Sequence, residues 1–194
     1  MFINSKIFKK LLKKSYEGQG IYLANHEGTV IIAGNSWVIN VDENRIPKEI
    51  KAMIIGFTDF LPRAGDEPCL VNENGMQMEI FNDALLLTEK WESQKNKIIK
   101  TPVYVYLKYI GMARVYQGAY DVFVNEILDN MVSIKEVEEH EEIPQGPFIV
   151  ERSIMYGNDV MILQYYTIKV LDDDGEAGDI LAALERIKFG GNDE

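Results

Sequence analysis

Apolar residues recur along the chain with two periods, and the change from one to the other marks out its elements. Ile7, Phe8, Leu11, Leu12 and Tyr16 share one side of a 3.6-residue period, and Lys6, Lys9, Lys10, Lys13 and Lys14 share the other. This pattern predicts a helix over 6–16, with Ser5 offering its hydroxyl as the cap and Gly18 and Gly20 ending it; Phe2 to Asn4 reads as a short strand before it. From Ile21 to Val41, β-branched runs at 29–32 and 37–41 alternate with turn groups at 25–28 and 34–36, which predicts two or three antiparallel strands.

A second helix follows Pro47. Ile46, Ile50, Met53, Ile54, Phe57 and Leu61 form its apolar stripe and Pro62 stops it. Residues 69–71 and 76–80 read as a hairpin around the turn 72–75. The stretch 82–97 fits either a helix carrying Leu86, Leu87 and Trp91 or a pair of strands, because the apolar run 84–87 satisfies both periods. Strands are expected at 103–107, 112–116 and 120–124, then a short helix capped by Asn125. After Pro144 a hairpin of 148–155 and 160–170 is expected, and a last helix carries Ile180, Leu181, Leu184 and Ile187.

These elements define an α+β fold, mostly antiparallel sheet with three to four amphipathic helices. The expected organisation is an α+β domain over 1–132, an acidic connector over 133–144, and a hairpin with a C-terminal helix over 145–194, packed on the first part. The connector is assigned from the five glutamates in the eight residues 135–142.

Composition narrows the function. At 194 residues the chain is long enough to bury a core without staples, and no cofactor is expected. The single cysteine, Cys69, cannot form an internal disulfide. With no signal-peptide pattern and no apolar run of membrane-spanning length, this points to the cytoplasm and to no membrane partner. A net charge of −11 disfavours nonspecific nucleic-acid binding by the chain as a whole, so any such binding must come from a local basic face.

Catalysis has little support. CxxC, HExxH, GxSxG, Walker A and GxGxxG patterns are all missing from the sequence. His26 and His140 lie far apart in the chain, in a turn and in the acidic run, so no metal site is expected of them. Asp172, Asp173, Asp174, Glu176 and Asp179 offer the oxygens that calcium prefers, yet Gly175 does not sit in an EF-hand register, and a solvated turn is the expectation. Cys69 has no neighbour in sequence that would lower its pKa and is expected as a buried thiol. Tyr104, Tyr106 and Tyr109 have the spacing of a base-stacking strand, but with Lys108 as their only basic neighbour they are expected to pack into the sheet.

The order strand, lysine-faced helix, several strands, helix, several strands over 1–132 resembles one domain of a DNA sliding clamp, the processivity factor built from β-α-β-β-β repeats. The opening Phe2-Ile3-Asn4-Ser5-Lys6-Ile7-Phe8-Lys9-Lys10-Leu11-Leu12-Lys13-Lys14 is similar to the start of bacterial and phage clamps, where a short strand leads into a helix facing DNA. The resemblance implies an acidic protein that presents Lys6, Lys9, Lys10, Lys13 and Lys14 to duplex DNA without reading its sequence. It also implies self-assembly, because a ring needs more domains than 194 residues supply. The second helix departs from the pattern, with Lys48 and Lys51 set against Glu49 and Asp59. In style the chain also resembles small phage or prophage accessory proteins. The expected function is therefore a non-catalytic DNA-associated accessory factor, the alternative being a protein-interaction or regulatory module that does not bind DNA.

Overall fold

The computed structural model describes residues 1–93, 96–108, 110–137, 139–168, 179, 180, 182 and 183. The expected C-terminal helix and the aspartates at 172–174 lie largely outside the described residues, and Tyr109 lies outside them altogether.

The chain opens with α1 (Ser5–Tyr16), whose Phe8, Leu11 and Leu12 are buried. Its cap is Asn4 and not Ser5: the Asn4 side-chain oxygen accepts from the N–H groups of Lys6 and Ile7, each at 3.2 Å. Ser5 already lies inside the helix, one residue too late to cap it. The strand expected before α1 is a single bridge between Ile3 and Val132.

Next come β1 (Ile21–His26), β2 (Thr29–Gly34) and β3 (Trp37–Asp42), an antiparallel meander. The helix α2 (Lys48–Thr58) buries Ile50, Ile54 and Thr58 and leaves Met53 and Phe57 half-buried. It ends at Thr58, short of Pro62, because Asp59 takes a left-handed conformation at φ 65° and turns the chain. The hairpin β4 (Cys69–Asn72) and β5 (Gly75–Met78) follows.

The ambiguous stretch becomes a 3₁₀ turn at Asp83–Leu85, then α3 (Thr88–Glu92) and β6 (Asn96–Lys97). Then come β7 (Ile99–Leu107), β8 (Gly111–Gln117), β9 (Val122–Asn125) and α4 (Glu126–Asp129), the last capped by Asn125, whose side chain accepts from Ile127 N–H at 3.0 Å. The last strands among the described residues are β10 (Gln145–Val150), β11 (Ser153–Gly157) and β12 (Met161–Tyr166). The run 148–155, which reads as one strand, is therefore two: Glu151 sits at φ 55° and reverses the chain between them.

The protein is an α+β fold whose sheets are antiparallel at every recorded pairing. Among the described residues one sheet has nine strands in the order β5-β4-β1-β2-β3-β12-β11-β10-β6, and a smaller one has the order β7-β8-β9. Residues 161–166 pair with 37–42, so β10 to β12 belong to the same sheet as the N-terminal meander.

The large sheet is covered on both faces. Helices α1 and α2 pack on one face against Leu23, Val30, Ile32, Ile39 and Val41. On the other face Leu87, Phe81, Leu85, Leu86 and Trp91 cover Ala24, Ile31, Ala33 and Val38. Two-sided burial explains why β2 and β3 carry near-continuous apolar runs instead of an alternating pattern. Asn40, buried within β3, fixes the second cover: its amide nitrogen donates to the Leu85 carbonyl at 2.9 Å and its oxygen accepts from Leu87 N–H at 2.7 Å.

Candidate nucleic-acid interface

The apolar stripe of α1 fixes which of its side chains face water. With Phe8, Leu11, Leu12 and Ser15 against the sheet, Lys6, Lys9, Lys10, Lys13 and Lys14 are all exposed. No acidic residue occurs between Ser5 and Tyr16, and Lys13 pairs with Glu17 at 3.5 Å just past the helix end. Both members of that pair are more than half exposed, so it costs little to break. Lys13 and Lys14 stand in the last turn, where the helix dipole favours cations.

Helix α2 lies beside α1, joined to it by the Tyr16 and Phe57 rings at 5.7 Å. Its outward residues are Lys48, Glu49, Ala52, Ile55 and Gly56, so it adds small neutral surface and little charge beside the lysines. A groove of about 320 Å³ runs along the last turns of α1, between Leu11, Lys14 and Ser15 on one side and Ile127 and Leu128 on the other.

The other sites considered from the sequence lie apart from this face. His26 stacks on Phe81 with ring centroids 4.8 Å apart, and His140 lies in the exposed acidic stretch. Among the described residues no group of three or more His, Cys, Asp or Glu side chains is arranged to hold a metal ion. Cys69 is buried, and burial, with the nearby Asp66 carboxylate, raises its thiol pKa, the opposite of what a nucleophile needs. The Tyr104 ring is not open for base stacking, because the Arg114 guanidinium lies over it at 4.1 Å, while Tyr106 is exposed.

A cluster that sequence spacing does not reveal lies between the two sheets. Asp129, fully buried, takes Arg114 Nε at 2.8 Å, Lys100 Nζ at 2.9 Å and the Tyr116 hydroxyl at 2.7 Å. Arg114 also donates to the Tyr104 hydroxyl and to the Thr101 carbonyl at 2.7 Å. The Tyr116 oxygen in turn lies 3.1 Å from the Tyr165 hydroxyl and 3.5 Å from that of Tyr156. Burial, together with the neighbouring hydroxyls and the Asp129 carboxylate, pushes the Tyr116 and Tyr165 pKa values well up, and burial raises that of Tyr156. These contacts tie β7, β8 and α4 to β11 and β12. The only hint in the sequence is a set of polar residues at strand positions, with nothing to show which of them meet.

A polar cleft of about 390 Å³ lies between Glu27, Asp42, Asn44, Asn158 and Asp159. Arg45 pairs with Asp159 at 2.7 Å and holds that carboxyl below its usual range. No helix among the described residues is long and apolar enough to cross a membrane. No protein-family model matches the chain, and no curated protein is significantly similar to it.

Proposed function

We propose that this protein is a non-catalytic, DNA-associated accessory factor of the sliding-clamp kind, and that it holds duplex DNA through Lys6, Lys9, Lys10, Lys13 and Lys14. The observation that carries this reading is the composition of one helix face: five exposed lysines, no acid within the helix, and one weak exposed ion pair at its end. In a chain of net charge −11 such a concentration gives phosphates one place to bind. Lysine is a compact point charge on a flexible stem, suited to contacts with the backbone and poorly suited to reading bases. The outer face of α2 sets Lys48 against Glu49 and is otherwise neutral, so it adds no net charge opposing phosphates beside α1. A cytoplasmic place of action and an origin in a phage or prophage go with this reading.

The acidic remainder of a single chain repels DNA, so binding strengthens when self-assembly sets several α1 helices along one duplex. Fluorescence anisotropy of a labelled duplex, titrated with protein at low salt and then with added salt, tests the proposal. The expected log–log slope is about −0.9 for each phosphate contact, the same for unrelated sequences. Absence of binding at low salt, where the electrostatic attraction is greatest, would leave the lysines as a solvated helix face.

A further inference from the structure

We propose that the free edge of β5 is a docking site that takes an extended protein segment of alternating apolar and basic residues as a further strand of the large sheet. This goes beyond the DNA reading and uses none of the residues of α1.

Among the described residues β5 ends the nine-strand order, and each of its four residues is exposed. Exposed strand edges normally carry lysine, proline or a bulge that blocks pairing with another chain. Here the sequence from Cys69 to Leu87 contains no Lys, Arg or Pro, and the edge displays Met76 at 57% and Met78 at 54% exposure. The backbone is correctly directed as well. Glu79 N–H donates inward to the Pro68 carbonyl at 2.8 Å, and Asn72 and Gly75 pair across the turn. The alternation of an antiparallel ladder then turns the N–H and C=O groups of Met76 and Met78 outward, toward an incoming strand.

The side chains supply a surface to match. Met76 and Met78 stand opposite Val71 and Cys69 and so lie on the helix-covered face of the sheet. With Phe60 and Cys69 they line a groove of about 390 Å³, rimmed by Asp66 and Glu67. Methionine adapts its shape to varied apolar partners, which suits a groove that receives side chains from another chain.

Charge decides the occupant. Asp66, Glu67, Glu73, Glu79 and Asp83 are exposed around this edge, and Arg63 is the only Lys or Arg between Leu61 and Glu89. A second copy would bring the same carboxylates, and a net charge of −11, against themselves. A basic segment is attracted, and in a strand its alternate residues put apolar side chains into the groove and cations near the acidic rim.

The test is fluorescence anisotropy with a labelled octapeptide alternating lysine and valine. Its comparisons are a glutamate–valine octapeptide and one of the same lysine–valine composition with all the lysines first. The alternating basic peptide is expected to bind at least tenfold more tightly than either. Met78→Pro removes an outward N–H and no inward ladder bond, and it is expected to weaken binding at least tenfold with an unchanged circular dichroism spectrum. The double variant Met76→Lys/Met78→Lys provides a second route to the same loss should Met78→Pro unfold. Lys10→Glu/Lys13→Glu is expected to leave peptide binding intact. Equal binding of the block-ordered peptide, full binding by both edge variants, or no binding at all would overturn the proposal. So would a dimer in sedimentation that the edge variants dissociate, because that result assigns the edge to a second copy.

Discussion

The hydroxyl of Tyr116 lies 2.7 Å from Oδ1 of Asp129, with both residues fully buried. Because Tyr116 gives its single proton to the carboxylate, its oxygen is left to accept from Tyr165, 3.1 Å away. A charge from α4 is thereby joined through β8 to β12, and the small sheet is fastened to the large one. Replacing Asp129 with alanine leaves the Arg114 guanidinium and the Tyr116 hydroxyl without their partner in a dry site. The expected loss is about 3–5 kcal/mol, read from urea unfolding.

The same cluster sets a limit at alkaline pH. Tyr116, Tyr156 and Tyr165 have folded pKa values above the ordinary 10.0, so the folded state holds their protons more tightly than the unfolded state does. Their contribution is fully present below pH 10 and is lost as pH rises beyond it, at about 1.4 kcal/mol per pH unit for each group that ionises only on unfolding. Absorbance of tyrosinate is expected to show these three staying protonated beyond pH 10 until the protein unfolds.

The lysine face separates binding from folding. Lys10→Glu/Lys13→Glu is expected to abolish duplex binding at low salt while the thermal midpoint changes little. Both side chains are exposed, and the Lys13–Glu17 pair contributes under about 1 kcal/mol.

Two positions on α2 distinguish depth of burial. Ile54 is fully buried, and Ile54→Ala is expected to cost about 2–5 kcal/mol. Phe57 is half-buried against Tyr16, so Phe57→Ala is expected to fall below the range of about 3–5 kcal/mol for a fully buried phenylalanine. A loss at Phe57 within the range for a fully buried phenylalanine would contradict this packing.

Asn40 is the clasp of the second cover. Asn40→Ala leaves the Leu85 carbonyl and the Leu87 N–H without their partner and is expected to cost about 1–3 kcal/mol. Hydrogen exchange should accelerate first at Leu87, before the strands of the sheet open.

What the sequence determined by itself was local. The stripes of α1 and α2 repeat every three or four residues, and a single helix face needs no knowledge of the remaining chain to be recognised. The exposure of the five lysines follows from that period alone, and so did the hairpin of β4 and β5, whose turn residues lie between its two strands. The α+β class followed from the number and kind of such elements. Where a group's state depends on residues distant in sequence, only the tertiary structure decided it. The run 84–87 fits two periods, and contact with Asn40 and the back of the sheet selected a 3₁₀ turn and a short helix over both simpler readings. The division of 148–155 into two strands was set by β10 pairing with β11 on one side and β6 on the other, which no local propensity encodes. Asp129, Arg114, Tyr116 and Tyr165 are ordinary polar residues along the chain. They become one buried network because two sheets meet over them, and removal from water then obliges each polar group to find its partner in another element.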